Sequence, residues 1–318
     1  MAKARGEAGR LDEAARAGWL YYVAGNTQDQ IAAKLGVSRQ TAQRLVSLSV
    51  SAGLIRVRLD HPIAACLELA EKLKKRFRLT LAEVVPTDPN STSTILGVAE
   101  ACAAEMERRL VQSDPLVLAV GTGRTLKAAV ENLPKMSCPQ HRVVSLTGNL
   151  SSDGSASVYN VVYVMADTLQ EARHYPMPLP VVVSSPAERE LLHEQKVVQN
   201  TLALVKEASV TFVGIGELGP AAPLLADGFI SRGDVAMLEE TGAVGEIVGW
   251  AFNRDGRLID CPHNQRVASA PIPSTDRGEV IAVAMGPAKL VGTRAAIVGR
   301  LVNGVITDEA TAAALLAE

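Results

Sequence analysis

No apolar run in this chain of 318 residues reaches the roughly 18 that a membrane span needs, so no membrane-spanning helix is expected. The opening Met1-Ala2-Lys3-Ala4-Arg5-Gly6 has charges but no apolar stretch behind them, which is not the pattern of a secretory signal peptide. A cytoplasmic protein is expected. Cysteine is scarce and scattered: Cys66, Cys102, Cys138 and Cys261 form no CxxC pair and are expected to be reduced and buried. Two of them lie near histidines, in Cys138-Pro139-Gln140-His141 and Cys261-Pro262-His263, but proline breaks each pair and zinc-ligand spacing is missing. No metal site and no cofactor are expected. Net charge is also small, at −2, which taken whole speaks against a nucleic-acid binder.

Dividing the chain reverses that last inference. Residues 1–60 hold nine lysines and arginines against five acids, a net of +4; the rest holds twenty-three against twenty-nine, a net of −6. A basic head on an acidic body is the asymmetry expected when only the head meets phosphates, although an ordinary solvated surface can carry +4 as well. The length also exceeds one typical core and suits a small domain followed by a larger one. The expected boundaries are 1–60 and 61–318.

The head carries the sharpest local signals. Thr27 can cap a helix, with Gln30 at capping-box spacing, and Ile31, Ala32 and Leu35 mark one helical face. Gly36 stands where a helix ends with positive φ, Val37 plugs the turn, and Ser38 caps a second helix. Helix, tight glycine turn and capped helix make a helix-turn-helix. In the second helix Arg39, Gln40, Gln43, Arg44 and Ser47 share a polar arc of roughly 140°, opposite Ala42, Leu45, Val46 and Ser49. Any amphipathic surface helix shows such a split, but arginine and glutamine can read guanine and adenine edges bidentately. The candidate DNA-binding residues are Thr27, Gln28, Ser38, Arg39, Gln40, Thr41, Gln43 and Arg44. Upstream, Leu11 to Val23 reads as a supporting helix with Trp19 in its core. Downstream, Leu54–Leu59 reads as a short strand. Its Arg56 and Arg58 suit either a wing on phosphates or a plain basic edge.

Pro62 is placed to start a helix over 63–77. After it, short apolar strands alternate with helices: Leu81–Val85, Leu116–Gly121, Arg142–Leu146, Leu179–Ser184, Val210–Gly216, Val280–Gly286 and Gly304–Thr307. This predicts an α/β fold, a small all-α winged helix-turn-helix head and a larger, mostly parallel, doubly wound sheet domain. Ligands of such sheets sit at the carboxyl ends of the strands. There the loop Gly121-Thr122-Gly123-Arg124-Thr125-Leu126 has two glycines, hydroxyls, a cation and a helix start. It is either an anion site or simply a tight strand-to-helix turn, and it completes neither a Walker A loop nor GxGxxG. Gly214 to Gly219 marks another strand end. Glu246, before an expected hairpin through Asn253-Arg254-Asp255-Gly256, is either a ligand-hydroxyl partner or a solvated strand-start carboxylate. Lys289, in the first turn of a helix where its charge is unfavourable, suits an anionic partner or solvent.

The head, Gly121 to Thr125, Gly242 to Glu246, Gly286 to Lys289 and the closing Ile306-Thr307-Asp308-Glu309-Ala310-Thr311-Ala312 together resemble the SorC family of sugar-responsive transcriptional regulators. The resemblance spans nearly the whole chain in order. It implies an effector domain related to sugar-phosphate isomerases and deaminases, a homotetramer or homodimer, operator DNA as partner, and a sugar, polyol or sugar-phosphate effector. By position, Gly121–Leu126 would hold the phosphate while Glu246 and Lys289 face the sugar. Where the family carries paired glycines after the last long helix, this chain has Gly299-Arg300. The alternative, an isomerase-like enzyme with a DNA-binding head, needs convergent carboxylates or a carboxylate–histidine pair near the anion loop. The sequence shows none, and His174 and His263 stand isolated.

Overall fold

The computed structural model describes residues 2–55, 63–88, 93–148, 150–151, 154–155 and 160–317. Two compact units emerge, Met1–Pro62 and Ile63–Glu318.

Among the described residues, the first unit is a head of three helices: α1 Ala2–Tyr22, α2 Gln28–Leu35 and α3 Arg39–Ser51. Its punctuation is that of the sequence. Thr27 Oγ1 accepts from the Gln30 amide while the Gln30 side chain accepts from the Thr27 amide, a reciprocal capping box. Gly36 ends α2 at φ 67°, and Ser38 Oγ caps α3 by accepting from the Thr41 amide at 3.1 Å. The core joins Ala14 and Ala17 of α1, Ile31 of α2, and Ala42, Leu45 and Val46 of α3.

Trp19, expected inside, is 54% exposed. The reason is the small-residue face of α1. Ala14, Ala17 and Gly18 let α1 approach α3 closely, and that crossing turns Trp19 outward. A Cβ on Gly18 would sit 2.3 Å from Ser49 Oγ and 2.6 Å from Ser49 Cβ. Gly18→Ala is therefore expected to push α1 off α3 and destabilise the head by ~1–3 kcal/mol, the usual cost of overpacking. A lowered head melting transition, with the sheet domain unchanged, would register it. Leu54 and Ile55 lie in a bend after α3, not in a strand. Arg56, Arg58 and the rest of the expected wing lie outside the described residues.

The second unit opens with the helix Ala64–Phe77, with Ile63 at its N-cap position and no side-chain cap; Pro62, the expected helix start, lies outside the described residues. A seven-stranded parallel sheet follows. Its spatial order is Leu81–Val85, Gly304–Asp308, Glu279–Val283, Val210–Gly214, Val117–Val120, Arg142–Ser145 and Arg173–Tyr175. Alternation along each strand feeds two cores. Val117, Ala119, Val280 and Ala282 face one, with Leu73 and Leu315. Leu118, Val120, Ile281 and Val283 face the other, with Met106 and Leu126. Burial on both faces explains the near-continuous apolar runs. From Val117–Val120 the chain steps outward to Arg142–Ser145 and Arg173–Tyr175, then returns to add Val210–Gly214 on the opposite side. That reversal is the topological switch point, where the crevice of a doubly wound sheet opens.

Two strand expectations need correction. Leu179–Ser184 is no strand. Pro180 and Val182 form isolated bridges to Leu150 and Val267, and Val183 donates to the Arg266 carbonyl. Its valines are buried by several different segments, so its apolar run reflects burial without a ladder. Within the seven-stranded sheet, the strand absent from the expectation is Arg173–Tyr175, an edge strand whose residues are polar or half-exposed.

Candidate functional site

On the head, α3 exposes Arg39, Gln40, Thr41, Gln43, Arg44 and Ser47 on one side and buries Ala42, Leu45, Val46 and Ser49 on the other. Arg39 Nε lies 3.4 Å from Asp29 Oδ1, both well exposed, so this arginine has a competing partner on α2. Thr27 and Ser38 use their hydroxyls to cap helices, and Gln28 is the first residue of α2. The result is a polar helix face of arginine, glutamine and threonine, fixed by a small core behind it.

In the second unit, a cavity of about 260 Å³ opens at the switch point of the sheet. One wall is the turn after Val117–Val120. Gly121 ends the strand by donating to the Phe212 carbonyl at 2.8 Å. Thr122 and Gly123 then lead into the helix Arg124–Glu131, whose N-cap position, Gly123, offers no side-chain cap. Thr122, Gly123, Arg124, Thr125 and Leu126 all line the cavity; Gly121 sits one residue back and does not.

Glu246 forms the opposite wall. Its strand Gly245–Ile247 pairs with Trp250–Phe252 through a tight turn at Val248-Gly249, with φ of 46° and 93°. The hairpin carrying Glu246 thus turns earlier than expected. Asn253–Gly256 makes a second reversal, closed by the Asn253 amide on the Arg257 carbonyl. Two backbone bonds, at 2.9 and 3.1 Å, clip Glu246 to Gly216 just beyond Val210–Gly214. Glu246 Oε2 accepts from the Gly249 amide at 2.7 Å. His263, buried behind this turn, contacts the Gly249 carbonyl at 2.7 Å. Glu246 is thereby only 8% exposed. Burial pushes its carboxyl above the usual range, opposed by the Gly249 amide and by Lys289.

Lys289 completes the site from a short turn, Pro287–Lys289, that opens the helix Leu290–Val298. Desolvation lowers its ammonium pKa, while Glu246 and Glu217 oppose the shift. The fold adds two residues the sequence did not single out. Asp227, following the helix Pro223–Ala226, enters the cavity with its carboxyl raised by burial and opposed by Arg124. Thr147, after Arg142–Ser145, lines it too, with its hydroxyl 2.7 Å from Ser269 Oγ. The Asp227-Gly228 pair is a turn signal and Thr147-Gly148 follows a strand end, but neither spacing says which cavity it faces. One expectation is corrected here. Convergent carboxylates, absent from the sequence as read, are assembled by folding: Asp227 and Glu246 share the cavity with Lys289. Cys138 and Cys261 are buried in separate hydrophobic clusters, and all four cysteines are free and buried.

Gly216 is required by this geometry. A Cβ there would fall 1.7 Å from Glu246 Oε1. Gly216→Ala is expected to expel the Glu246 carboxylate from its seat and to loosen the Gly245–Phe252 hairpin that it closes onto Gly216. Faster hydrogen exchange at the Gly249 and Gly216 amides, with the Arg173–Tyr175 edge strand unchanged, measures it.

The sheet unit matches the family model described as "Putative sugar-binding domain" over residues 61–317, and the head matches "Homeodomain-like domain" over residues 10–58. The erythritol catabolism regulatory protein EryD of Brucella abortus is 32% identical over 96% of this chain and 96% of its own. The transcriptional regulator LsrR of Klebsiella pneumoniae is 30% identical over 95% of this chain and 92% of its own. The crystal structure of the full-length sorbitol operon regulator SorC from Klebsiella pneumoniae shares the fold. Its TM-score is 0.70 at 24% identity, covering 96% of this chain and 99% of that one. With a helix-turn-helix head, a sugar-binding unit and these relatives along almost its full length, the chain belongs to the SorC family of sugar-binding transcriptional regulators.

Proposed function

We propose that this regulator of carbohydrate or polyol metabolism reads its operator with Arg39, Gln40, Thr41, Gln43 and Arg44 of α3, and that a small polyol or sugar phosphate in the switch-point cavity sets its DNA affinity. The observation that carries the effector assignment is the gathering of Thr122 to Leu126, Glu246 and Lys289 around one cavity, although they are far apart in sequence. At about 260 Å³ it lies below the roughly 300–1,000 Å³ of drug-sized pockets, a size for a small metabolite. Backbone amides at the start of Arg124–Glu131, with Arg124 and Lys289, favour an anionic group at one end. Glu246 and Asp227 suit the hydroxyls of a polyol chain at the other. A relative named for erythritol catabolism supports a short polyol.

The protein acts in the cytoplasm as a homodimer or homotetramer, because one helix-turn-helix makes few contacts and paired half-sites need paired heads. Binding without turnover is favoured. Glu246 is lodged between the Gly249 amide and Gly216, and among the described residues no histidine lines the cavity.

The test is a thermal-shift screen of the full chain with sugars, polyols and their monophosphates, since a ligand of the folded state raises its stability. Stabilisation that requires the phosphate is expected. A preference for unphosphorylated polyols would overturn the anion role of Gly121–Leu126. Appearance of an isomerised product in the same mixtures would favour the enzymatic reading.

A further inference from the structure

The closing segment Ile306 to Ala312 stands out in the sequence but lines neither the α3 face nor the cavity. Its contacts lie within the sheet unit. Asp308, buried at the end of Gly304–Asp308, accepts from the Thr311 amide at 3.2 Å and from the Thr87 hydroxyl at 2.7 Å. Thr311 Oγ1 in turn accepts from the Gly286 amide at 2.9 Å. Gly286, at φ 93°, starts the turn that sets Lys289 on the cavity wall. Thr311 therefore holds the base of the Lys289 turn through a single buried hydroxyl.

The same segment grips the helix Ala64–Phe77, which follows the head in the chain. Burial, and after it the nearby Glu309 carboxylate, pushes the thiol of Cys66, near the start of that helix, up to about 11. At the far end, Arg294 of the helix Leu290–Val298 lies 6.0 Å from the Phe77 ring centroid and donates to the Leu315 carbonyl at 3.2 Å. Arg76 lies 5.4 Å from the same ring and donates to the Leu316 carbonyl. The helix that begins directly after Lys289 thus reaches Phe77 through Arg294.

We propose that Asp308, Thr311 and Arg294 are positioning residues that hold Lys289 at the cavity and tie its turn to the helix Ala64–Phe77, the element leading to the head. The inference rests on the cavity being the effector site. Tightly packed, hydrogen-bonded elements move together, so a shift of the Lys289 turn on ligand binding is passed to Phe77 and Cys66 through these contacts.

Hydrogen exchange on the full-length protein tests it with and without ligand. In ligand-free protein, Thr311→Ala is expected to speed exchange of the 64–77 amides at least tenfold and to leave the Arg173–Tyr175 edge strand unchanged. Thr311→Ser should restore the wild-type rate. Unchanged exchange at 64–77 in Thr311→Ala, or equal acceleration throughout the sheet, overturns the proposal. With erythritol 4-phosphate as probe, the wild type should gain protection both at Thr122–Thr125 and at 64–77, and Arg294→Gln at Thr122–Thr125 only. Protection at the loop without any at 64–77 in the wild type sinks the link but leaves the effector site standing. Protection nowhere counts against the effector reading, and the ligand-free arm then still decides the link.

Discussion

Replacing Arg44 with alanine is expected to lower affinity for the specific operator by ~2–6 kcal/mol in a two-headed complex, leaving thermal stability and effector binding unchanged. A bidentate arginine–guanine pair contributes ~1–3 kcal/mol of discrimination, and two heads double it. Arg44 is chosen over Arg39 because it sits in mid-helix on the exposed arc, whereas Arg39 is drawn toward Asp29. Stability should not move, since the side chain is exposed and supports no core contact. Fluorescence anisotropy with operator and scrambled duplexes at two salt concentrations separates the roles. A base reader loses operator affinity far more than scrambled affinity. A phosphate contact loses both alike, with a shallower salt dependence. Equal losses would move Arg44 from reading to anchoring.

The head could be read so far ahead because its determinants are local. Thr27 with Gln30, Gly36 and Ser38 act within four residues of themselves, and a 3.6-residue period sorted α3 into its two faces. Trp19 escaped for the complementary reason. Periodicity shows that α1 has an apolar side, but which of its residues meets α3 depends on how closely two helices approach. Ala14, Ala17 and Gly18 decide that. In the sheet unit, strands buried on both faces announce themselves as apolar runs, and so does any buried segment. Leu179–Ser184 and Arg173–Tyr175 show the two resulting errors.

The cavity divides the same way. Thr122 to Thr125 is a contiguous turn after a strand and is visible in one dimension. Glu246 and Lys289 each sit in a suggestive local setting, and the family resemblance implied that they face one ligand. Asp227 has no such mark. Its place follows from the chain running from Val210–Gly214 through Pro223–Ala226 to the cavity mouth, a path that no local pattern encodes. That also explains why the sequence showed no convergent carboxylates: convergence is a property of the fold, and the enzyme alternative has to be judged on the folded site.

Lys289→Met should cost a phosphorylated effector about 1.5–3 kcal/mol, one charge-assisted hydrogen bond, or roughly ten- to more than a hundredfold in affinity. The ligand-free protein should lose no stability, because the substitution removes a desolvated ammonium whose burial the fold must offset. The pH dependence makes the assignment specific. The folded-state pKa of Lys289 is lowered from 10.5, so between the two values the unfolded chain binds more protons. Ligand-free stability from this group therefore rises with pH across that window. Glu246 runs the other way. Its pKa is raised from 4.5, so its stabilising contribution is complete below 4.5 and is lost as pH rises through the folded-state value. An anionic effector needs the ammonium, so its affinity for the wild type should fall as pH climbs through the lowered Lys289 pKa. In Lys289→Met that alkaline limb should vanish while the weaker residual binding persists. Calorimetric titrations of effector across the alkaline range would show the limb directly. If wild type and variant kept parallel pH profiles, Lys289 would not be the group that meets the anion, and the phosphate would rest on the Thr122–Thr125 turn and Arg124 alone.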